Sequence, residues 1–227
     1  MKNKVLIIGL DGATFSLLGP WIKQGRLPNF KKLVENGSSG ILKSTIPPVT
    51  APAWTSFATG LHPRHTGIFD FLRQNVDYSY DIVSQKDLKK KSMWDLLSFH
   101  NMSSILMNVP MTYPPKPIQG IIIPGMLTPR DGLITFPDSE RENLLQEIPR
   151  YIVEPDLMKL KNKSRQKIVD EVLGMTRHRR DAMFHYLEKE WDLFVVVYRG
   201  SDILQHLLWD DKDLLLTYYQ YIDRILQ

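Results

Sequence analysis

The chain has 227 residues, of which 43% are hydrophobic and 24% charged, so it can fill a sizeable core. It contains no cysteine, which excludes disulfides, thiolate metal sites and a cysteine nucleophile. The formal net charge is +4, but the basic clusters at 89–91 and 177–180 are small and the second has acidic neighbours. This pattern predicts a solvated surface and argues against nucleic acid as a partner.

The hydropathy pattern indicates where in the cell the protein is expected. No run of about 18 or more apolar residues occurs, so we expect no membrane span and no membrane partner. The apolar run from Val5 to Leu10 is too short for a signal peptide, and it ends at the charged Asp11. These features predict a cytoplasmic protein.

Apolar runs and turn residues divide the chain into alternating strands and helices. Buried strands are predicted at 4–10, 103–109 and 193–198, and shorter strands at 41–46, 79–83 and 120–123. Helices are predicted at 14–35 (in two pieces), 50–60, 92–99, 138–148, 163–190, 202–209 and 211–227. This alternation predicts an α/β fold with a largely parallel sheet between helices.

Two acidic residues follow predicted strands, at the edge where ligands gather in such sheets. Asp11 comes directly after the first strand, and Asp202 lies just past the last one. His206 follows Asp202 at i+4, which puts a carboxylate and an imidazole on one face of a helix. Such a pair suits zinc or manganese.

Thr50 lies at the start of a different predicted helix, where backbone N–H groups and the helix dipole favour a phosphate. A threonine hydroxyl is a weak nucleophile unless a neighbouring base or metal activates it. Each residue alone has a simpler explanation: Asp11 as a turn residue, Thr50 as an N-cap and His206 as a partly buried helix residue. Only their joint arrangement indicates a site for phosphoryl transfer.

Three segments carry a family pattern in chain order: Val5–Gly12, Ile46–Gly60 and Gly200–His206. They resemble the type I phosphodiesterases and nucleotide pyrophosphatases of the alkaline phosphatase superfamily, in particular a branch of predicted phosphohydrolases and phosphomutases. The resemblance spans residues 5 to 206. It implies an alkaline phosphatase-like α/β fold.

The resemblance also implies roles for individual residues. Thr50 matches the nucleophile, which would form a phosphothreonine. Asp11 matches the aspartate that shares one metal with the nucleophile, and Asp202 and His206 match ligands of the other metal. The expected cofactors are therefore two divalent metal ions, zinc or manganese, and the expected partner is a small phosphate ester.

The sequence departs from the family pattern in two respects. The Ser-Asp-His-Gly motif and the later histidine that complete both metal sites in the family do not occur, so the ligand set is incomplete. Phe71 stands where nucleotide pyrophosphatases have an asparagine that holds a phosphate oxygen. Arg73 lies nearby and is a candidate substrate-binding residue instead.

For domain organisation, the resemblance implies that 1–227 is the N-terminal part of a catalytic domain, with 110–190 as a cap or insertion. The last helical pattern runs to Gln227 without a cap, which fits a chain truncated at its C-terminus. We expect a phosphohydrolase, phosphodiesterase or phosphomutase. The alternative is a catalytically incomplete fragment or a non-catalytic protein that binds metal or phosphate. The sequence does not predict the oligomeric state.

Overall fold

The structure is a computed structural model that describes residues 4–129, 132 and 134–227. Its strands are β1 (Val5–Leu10), β2 (Leu72–Gln74), β3 (Tyr80–Ile82), β4 (Ser104–Met107), β5 (Gly120–Ile123) and β6 (Leu193–Tyr198). Its α-helices are α1 (Phe15–Lys23), α2 (Pro28–Asn36), α3 (Thr50–Thr59), α4 (Pro63–Thr66), α5 (Met93–Phe99), α6 (Ser139–Glu147), α7 (Leu157–Leu160), α8 (Arg165–Leu187), α9 (Gly200–Leu208) and α10 (Lys212–Ile225). In the part of the chain that is described, no helix has the combined length and apolar character that crossing a membrane requires.

The chain forms two compact units. The first contains the described residues within 1–9, 44–154 and 181–197, and the second contains 10–43, 155–180 and 198–227. Each unit is built from separated stretches of the chain. The prediction of a cap or insertion at 110–190 stays a prediction.

A four-stranded sheet in the order β1-β6-β4-β5 organises the first unit. β4 pairs in parallel with both β5 and β6, so that Ser104 lies opposite Gly120 on one side and Leu193 on the other. The predicted parallel sheet is therefore confirmed. β4 and β6 are buried along their whole length, as their continuous apolar runs predict.

β1 departs from the prediction that it is buried on both faces. Val5 and Leu6 are exposed, and the rest of the strand is half-buried. β1 comes first in the strand order, and within the described residues its one neighbouring strand is β6. An apolar run predicts a strand, but the strand's place in the sheet decides how much of it is covered.

The strand predicted at 41–46 does not form, so this prediction is wrong. Ile41 and Leu42 are 93% and 94% exposed, and no strand pairs with this segment among the described residues. A strand needs a partner for its backbone hydrogen bonds, and local sequence does not supply one. By contrast, β2 and β3 form a hairpin of which the sequence predicted only the second strand.

Helices α3 and α5 pack onto the sheet of the first unit. Ala58 of α3 and Trp94 of α5 belong to one buried cluster with apolar residues from the strands. The strand residues of this cluster are Leu106, Ile122, Leu193, Val195 and Val197. Ala51, the second residue of α3, belongs to a second buried cluster, where it packs with Ile68, Val83 and Met111. These contacts fix α3, and Thr50 is its first residue.

In the second unit, α10 packs against α9 and α2. The rings of Trp21 and Tyr219 lie 5.6 Å apart, and Tyr218 and Tyr219 meet edge to face at 5.9 Å. Burial raises the pKa of Tyr218 to about 12, so this phenol stays neutral at physiological pH. This aromatic layer supports α9, which carries Asp202 and His206.

Candidate active site

Asp11 is the first residue after β1, as predicted. Its backbone N–H donates to the Tyr198 carbonyl at 3.1 Å, and its carbonyl accepts from Ser201 Oγ at 2.7 Å. Both partners lie at the junction of β6 and α9. Asp11 and the start of α9 are therefore held together at the carboxyl end of two strands.

Asp202 and His206 lie one turn apart on α9, as their spacing predicts. Asp202 Oδ1 is 3.4 Å from His206 Nε2. The Asp202 side chain is 15% exposed, whereas that of His206 is 78% exposed. The pair thus has a half-buried carboxylate and an imidazole that reaches into solvent.

Arg199, the residue before α9, belongs to the site and was not predicted from the sequence. Its Nε donates to Asp11 Oδ2 at 3.1 Å, and its Nη2 donates to Asp202 Oδ2 at 2.7 Å. The side chain is only 5% exposed. One guanidinium therefore joins the two carboxylates that the sequence assigns to different metals. The available signal was a charged residue directly after six apolar strand residues.

Gln205 adds a second connection between the loop after β1 and α9. Its Nε2 lies 3.0 Å from the Gly12 carbonyl, 3.1 Å from the Ser201 carbonyl and 3.2 Å from Tyr219 Oη. The loop that carries Asp11 is thus bonded to α9 through main-chain and side-chain groups. This arrangement limits the movement of Asp11 relative to Asp202.

Thr50 lies in the first unit as the first residue of α3, and it is half-buried. The N-cap is Val49, so the simpler explanation of Thr50 as an N-cap is wrong. The Ala53 N–H donates to the Val49 carbonyl at 3.1 Å, and Pro52 has no N–H. Thr50 and Ala51 are therefore the first two residues of α3, and both have a backbone N–H group.

Arg73, the predicted substrate-binding residue, lies on β2 and is paired with two carboxylates. Its Nη1 is 2.7 Å from Asp87 Oδ1, and its Nη2 is 3.4 Å from Asp81 Oδ2. The hydrogen bond with Asp87, followed by that with Asp81, raises the pKa of Arg73. Phosphate binding by Arg73 stays a prediction, and it would require exchange of these partners.

The described donors do not fit a metal ion as they stand. Within the described ranges, no three or more His, Cys, Asp or Glu side chains are grouped so that they could hold one. Asp202 and His206 supply two donors, and the Asp11 carboxylate accepts a hydrogen bond from Arg199. The cation between the two carboxylates is a guanidinium.

The parallel sheet, with acidic residues after β1 and β6, defines an α/β protein of the alkaline phosphatase type. The family model for type I phosphodiesterase / nucleotide pyrophosphatase matches residues 5–227. The chain belongs to this family, which confirms the family predicted from the three sequence segments. Among curated proteins, none has a significantly similar sequence.

Solved structures share the fold at low sequence identity. Phosphonoacetate hydrolase from Sinorhizobium meliloti, in complex with phosphonoformate, is 16% identical with a TM-score of 0.72, over 99% of this chain and 52% of that one. Murine ectonucleotide pyrophosphatase/phosphodiesterase 5 is 14% identical with a TM-score of 0.59, over 99% and 50%. A threonine-to-alanine variant of the murine protein, described as inactive, was solved with AMP. The chain thus spans about half the length of these structures.

Proposed function

We propose that the complete protein is a hydrolase that transfers a phosphoryl group from a small phosphate ester to Thr50. The main observation behind this proposal is that Thr50 is the first residue of α3. The family model matches the chain over residues 5–227, which include this helix. A helix N-terminus presents backbone N–H groups and the positive end of its dipole to an anion. The nucleophile would therefore attack a phosphorus atom whose oxygens lie against this helix end.

The reaction would proceed in two steps. Thr50 Oγ forms a bond to phosphorus, the ester oxygen leaves with its electron pair, and the hydroxyl proton passes to solvent. Water then attacks the phosphorus atom and Thr50 Oγ leaves. A monoester substrate releases phosphate in this step, which makes the enzyme a phosphatase, and a diester substrate releases a phosphate monoester, which makes it a phosphodiesterase. If a second hydroxyl of the substrate accepts the phosphoryl group instead, the enzyme is a phosphomutase.

The packing of α3 supports the proposed role of Thr50 as the nucleophile. Ala51 and Ala58 are buried, and Thr55 Oγ1 donates to the Ala51 carbonyl at 2.8 Å. The hydroxyl at the start of α3 is therefore attached to a rigid element. Rigid placement of a nucleophile lowers the entropic part of the barrier.

Two divalent metal ions, zinc or manganese, belong to the proposal for the complete protein, with Asp11, Thr50, Asp202 and His206 as ligands. Carboxylate and imidazole groups suit both metals, but the described donors do not complete a site, so further ligands would have to come from elsewhere in the complete protein. When bound, such an ion would stabilise charge on the transferred group. The substrate class is supported by the phosphonate and AMP complexes of the similar structures. The cytoplasmic location stays a prediction.

The test uses the complete gene product, purified with manganese or zinc, and two substrates: p-nitrophenyl phosphate and bis(p-nitrophenyl) phosphate. We expect Thr50→Ala to lower turnover by about a thousandfold or more, because it removes the nucleophile. Thr59→Ala is the matched control, since it removes a hydroxyl from the other end of the same helix, where Oγ1 donates to the Thr55 carbonyl. Mass spectrometry after acid quenching should locate phosphate on the peptide that contains Thr50.

Two outcomes would count against the proposal. Equal turnover in Thr50→Ala and Thr59→Ala would exclude Thr50 as the nucleophile. Absence of turnover in the complete product, combined with measurable metal or phosphate binding, would favour the alternative of a non-catalytic protein or an incomplete fragment.

A further inference from the structure

Three arginines of the second unit lie around the ring of Tyr221. Arg177, Arg180 and Arg224 have their guanidinium carbons 6.0, 5.9 and 5.5 Å from the ring centre. Arg180 Nη1 also donates to Tyr221 Oη at 2.8 Å. We refer to the three arginines as the arginine cluster. The basic run at 177–180 was expected to form a solvated surface, and α10 adds a further arginine to it.

The helices α8 and α10 bring the arginine cluster together. Arg177 and Arg180 are three residues apart on α8, and Tyr221 and Arg224 are three residues apart on α10. Each pair therefore shares one face of its helix. Tyr221 is buried and Arg180 half-buried, whereas Arg177 and Arg224 are exposed. The cluster thus has an inner guanidinium bonded to the tyrosine and two outer guanidiniums that solvent reaches.

The two outer arginines contact the aromatic ring and no anion. In the part of the chain that is described, neither Arg177 nor Arg224 forms an ion pair with a carboxylate. Asp223 precedes Arg224 in the sequence, but its carboxylate accepts from the N–H groups of Asn29 and Phe30. Like charges gathered around one ring repel each other, and contact with the ring face offsets only part of this repulsion. An anion bound between them would offset the rest.

Guanidinium chemistry favours a phosphate group as this anion. Arginine stays protonated at any physiological pH, and its fork of N–H groups matches two phosphate oxygens at once. A strand of nucleic acid is not favoured, because it needs a row of phosphate contacts and the cluster surrounds a single ring.

We propose that the arginine cluster is a binding site for a single phosphate group, either inorganic phosphate or the phosphate of a small monoester. Arg177 and Arg224 donate to the phosphate oxygens, and Tyr221 holds Arg180 beside them. None of these residues belongs to the set that the proposed function uses. The site therefore goes beyond that function and does not depend on it.

A cluster that only packs around Tyr221 would behave differently. Phosphate would then be attracted by the overall charge of the chain, which is +4, and every exposed arginine would contribute to a similar extent. A specific site instead makes the loss depend on which arginine is removed. Variants that change the net charge equally therefore separate the two cases.

The experiment titrates the isotope-labelled 227-residue chain with sodium phosphate and, separately, with methyl phosphate at constant ionic strength. Binding is followed by NMR through the arginine Nε–Hε signals. We expect the Arg177 and Arg224 signals to shift together along one saturating curve. Arg177→Gln and Arg224→Gln should each weaken binding about fivefold or more.

Two further variants serve as comparisons. Arg165→Gln is the matched control, because Arg165 is an exposed arginine of α8 in the same unit and is paired with Asp210. It removes the same charge and should change phosphate affinity by about twofold or less. Arg177→Lys keeps the charge but loses the fork, so its loss should be smaller than that of Arg177→Gln. Thermal unfolding without phosphate checks that all variants are folded.

Each outcome either supports or overturns the site. Equal weakening in Arg177→Gln, Arg224→Gln and Arg165→Gln would show attraction by overall charge and overturn it. Unchanged arginine signals up to about 50 mM of either ligand would also overturn it. Saturable binding that only the cluster variants weaken supports it, and the ligand that binds more tightly identifies the source of the phosphate group. No turnover is measured, so the test of Thr50 can fail while this site is confirmed.

Discussion

Gly9 of β1 lies directly against the indole ring of Trp54 on α3. A methyl carbon added at Gly9 would lie 2.5 Å from Trp54 Cη2 and 3.2 Å from Val197 Cγ2. No real methyl group tolerates the first of these distances. The close approach of α3 to the sheet therefore depends on the missing side chain at position 9.

We accordingly expect Gly9→Ala to displace the Trp54 ring and α3, with a loss of about 1–3 kcal/mol in the free energy of unfolding. In the complete protein, turnover should fall by about 10- to 100-fold, because Thr50 begins the displaced helix. Urea unfolding followed by tryptophan fluorescence measures the first effect. Gly19→Ala is the control, since a methyl group there has no atom within 4 Å. Equal stability of the two variants would contradict the prediction.

Gly200 has a similar relationship with Tyr218 in the second unit. A methyl carbon at Gly200 would lie 2.5 Å from Tyr218 Oη and 2.6 Å from two ring carbons. Since Tyr218 is fully buried, Gly200→Ala should cost about 1–3 kcal/mol. Gly174→Ala, in α8 with no atom within 4 Å of the added carbon, should stabilise by about 0.5–1 kcal/mol through helix propensity.

A double-mutant cycle tests whether the contact with Tyr218 is the cause. In Gly200→Ala/Tyr218→Leu the added methyl group gains space, so the combined loss should be smaller than the sum of the two single losses. Simple additivity would show that Gly200 matters for another reason, such as its place at the start of α9.

These contacts show what the sequence can and cannot predict. The apolar run at 193–198 and the helix predicted at 50–60 are local signals, and the structure confirms both. The exposure of Ile41 and the bond from Arg199 to Asp11 depend on which distant segment lies alongside. A single sequence contains no direct signal for such pairings, so the strand at 41–46 was wrong and Arg199 was missed.

The candidate site likewise combines features that the local sequence predicts with features that depend on distant segments. The spacing of Asp202 and His206 predicts their shared helical face, because the helix repeat alone determines it. Asp11 is linked to the start of this helix by a hydrogen bond from Arg199, which lies 188 positions later in the chain. The sequence motifs thus predicted the positions of Asp11 and Asp202, but not the Arg199 guanidinium that pairs with both carboxylates.

Asp223 on α10 holds the start of α2. Its carboxylate accepts from the backbone N–H groups of Asn29 at 3.0 Å and Phe30 at 2.8 Å, and Asn29 Nδ2 donates to the Asp223 carbonyl at 2.9 Å. Asp223→Ala should cost about 2–3 kcal/mol, because it leaves two backbone donors in a partly buried place without their charged acceptor. Asp213→Ala, an exposed acid on the same helix, should change stability by about 0.5 kcal/mol or less. Chemical denaturation of both variants is the measurement, and equal losses would contradict the prediction.

Asp95 gives the fold a pH-dependent contribution at the start of α5. Its Oδ2 accepts from the Ser92 N–H and Oγ, both at 2.7 Å, and forms an ion pair with Lys116 Nζ at 2.6 Å. Burial alone would raise the pKa of Asp95, but the bonds from Lys116 and Ser92 outweigh it and lower the pKa below its ordinary value of 3.8. A lowered pKa means that the folded state holds the proton less tightly than the unfolded state.

The contribution of Asp95 is therefore fully present above about pH 4 and is lost as the pH falls through the lowered pKa. Asp95→Asn should reduce the free energy of unfolding by about 1–2 kcal/mol at pH 7, and the difference from the wild type should shrink steadily below about pH 4. Lys116→Gln should move that loss to higher pH, because it removes one of the bonds that lower the pKa of Asp95. Urea unfolding at a series of pH values from 7 to 2 measures both effects. A difference that stays constant across this range would show that the Asp95 charge does not stabilise the fold.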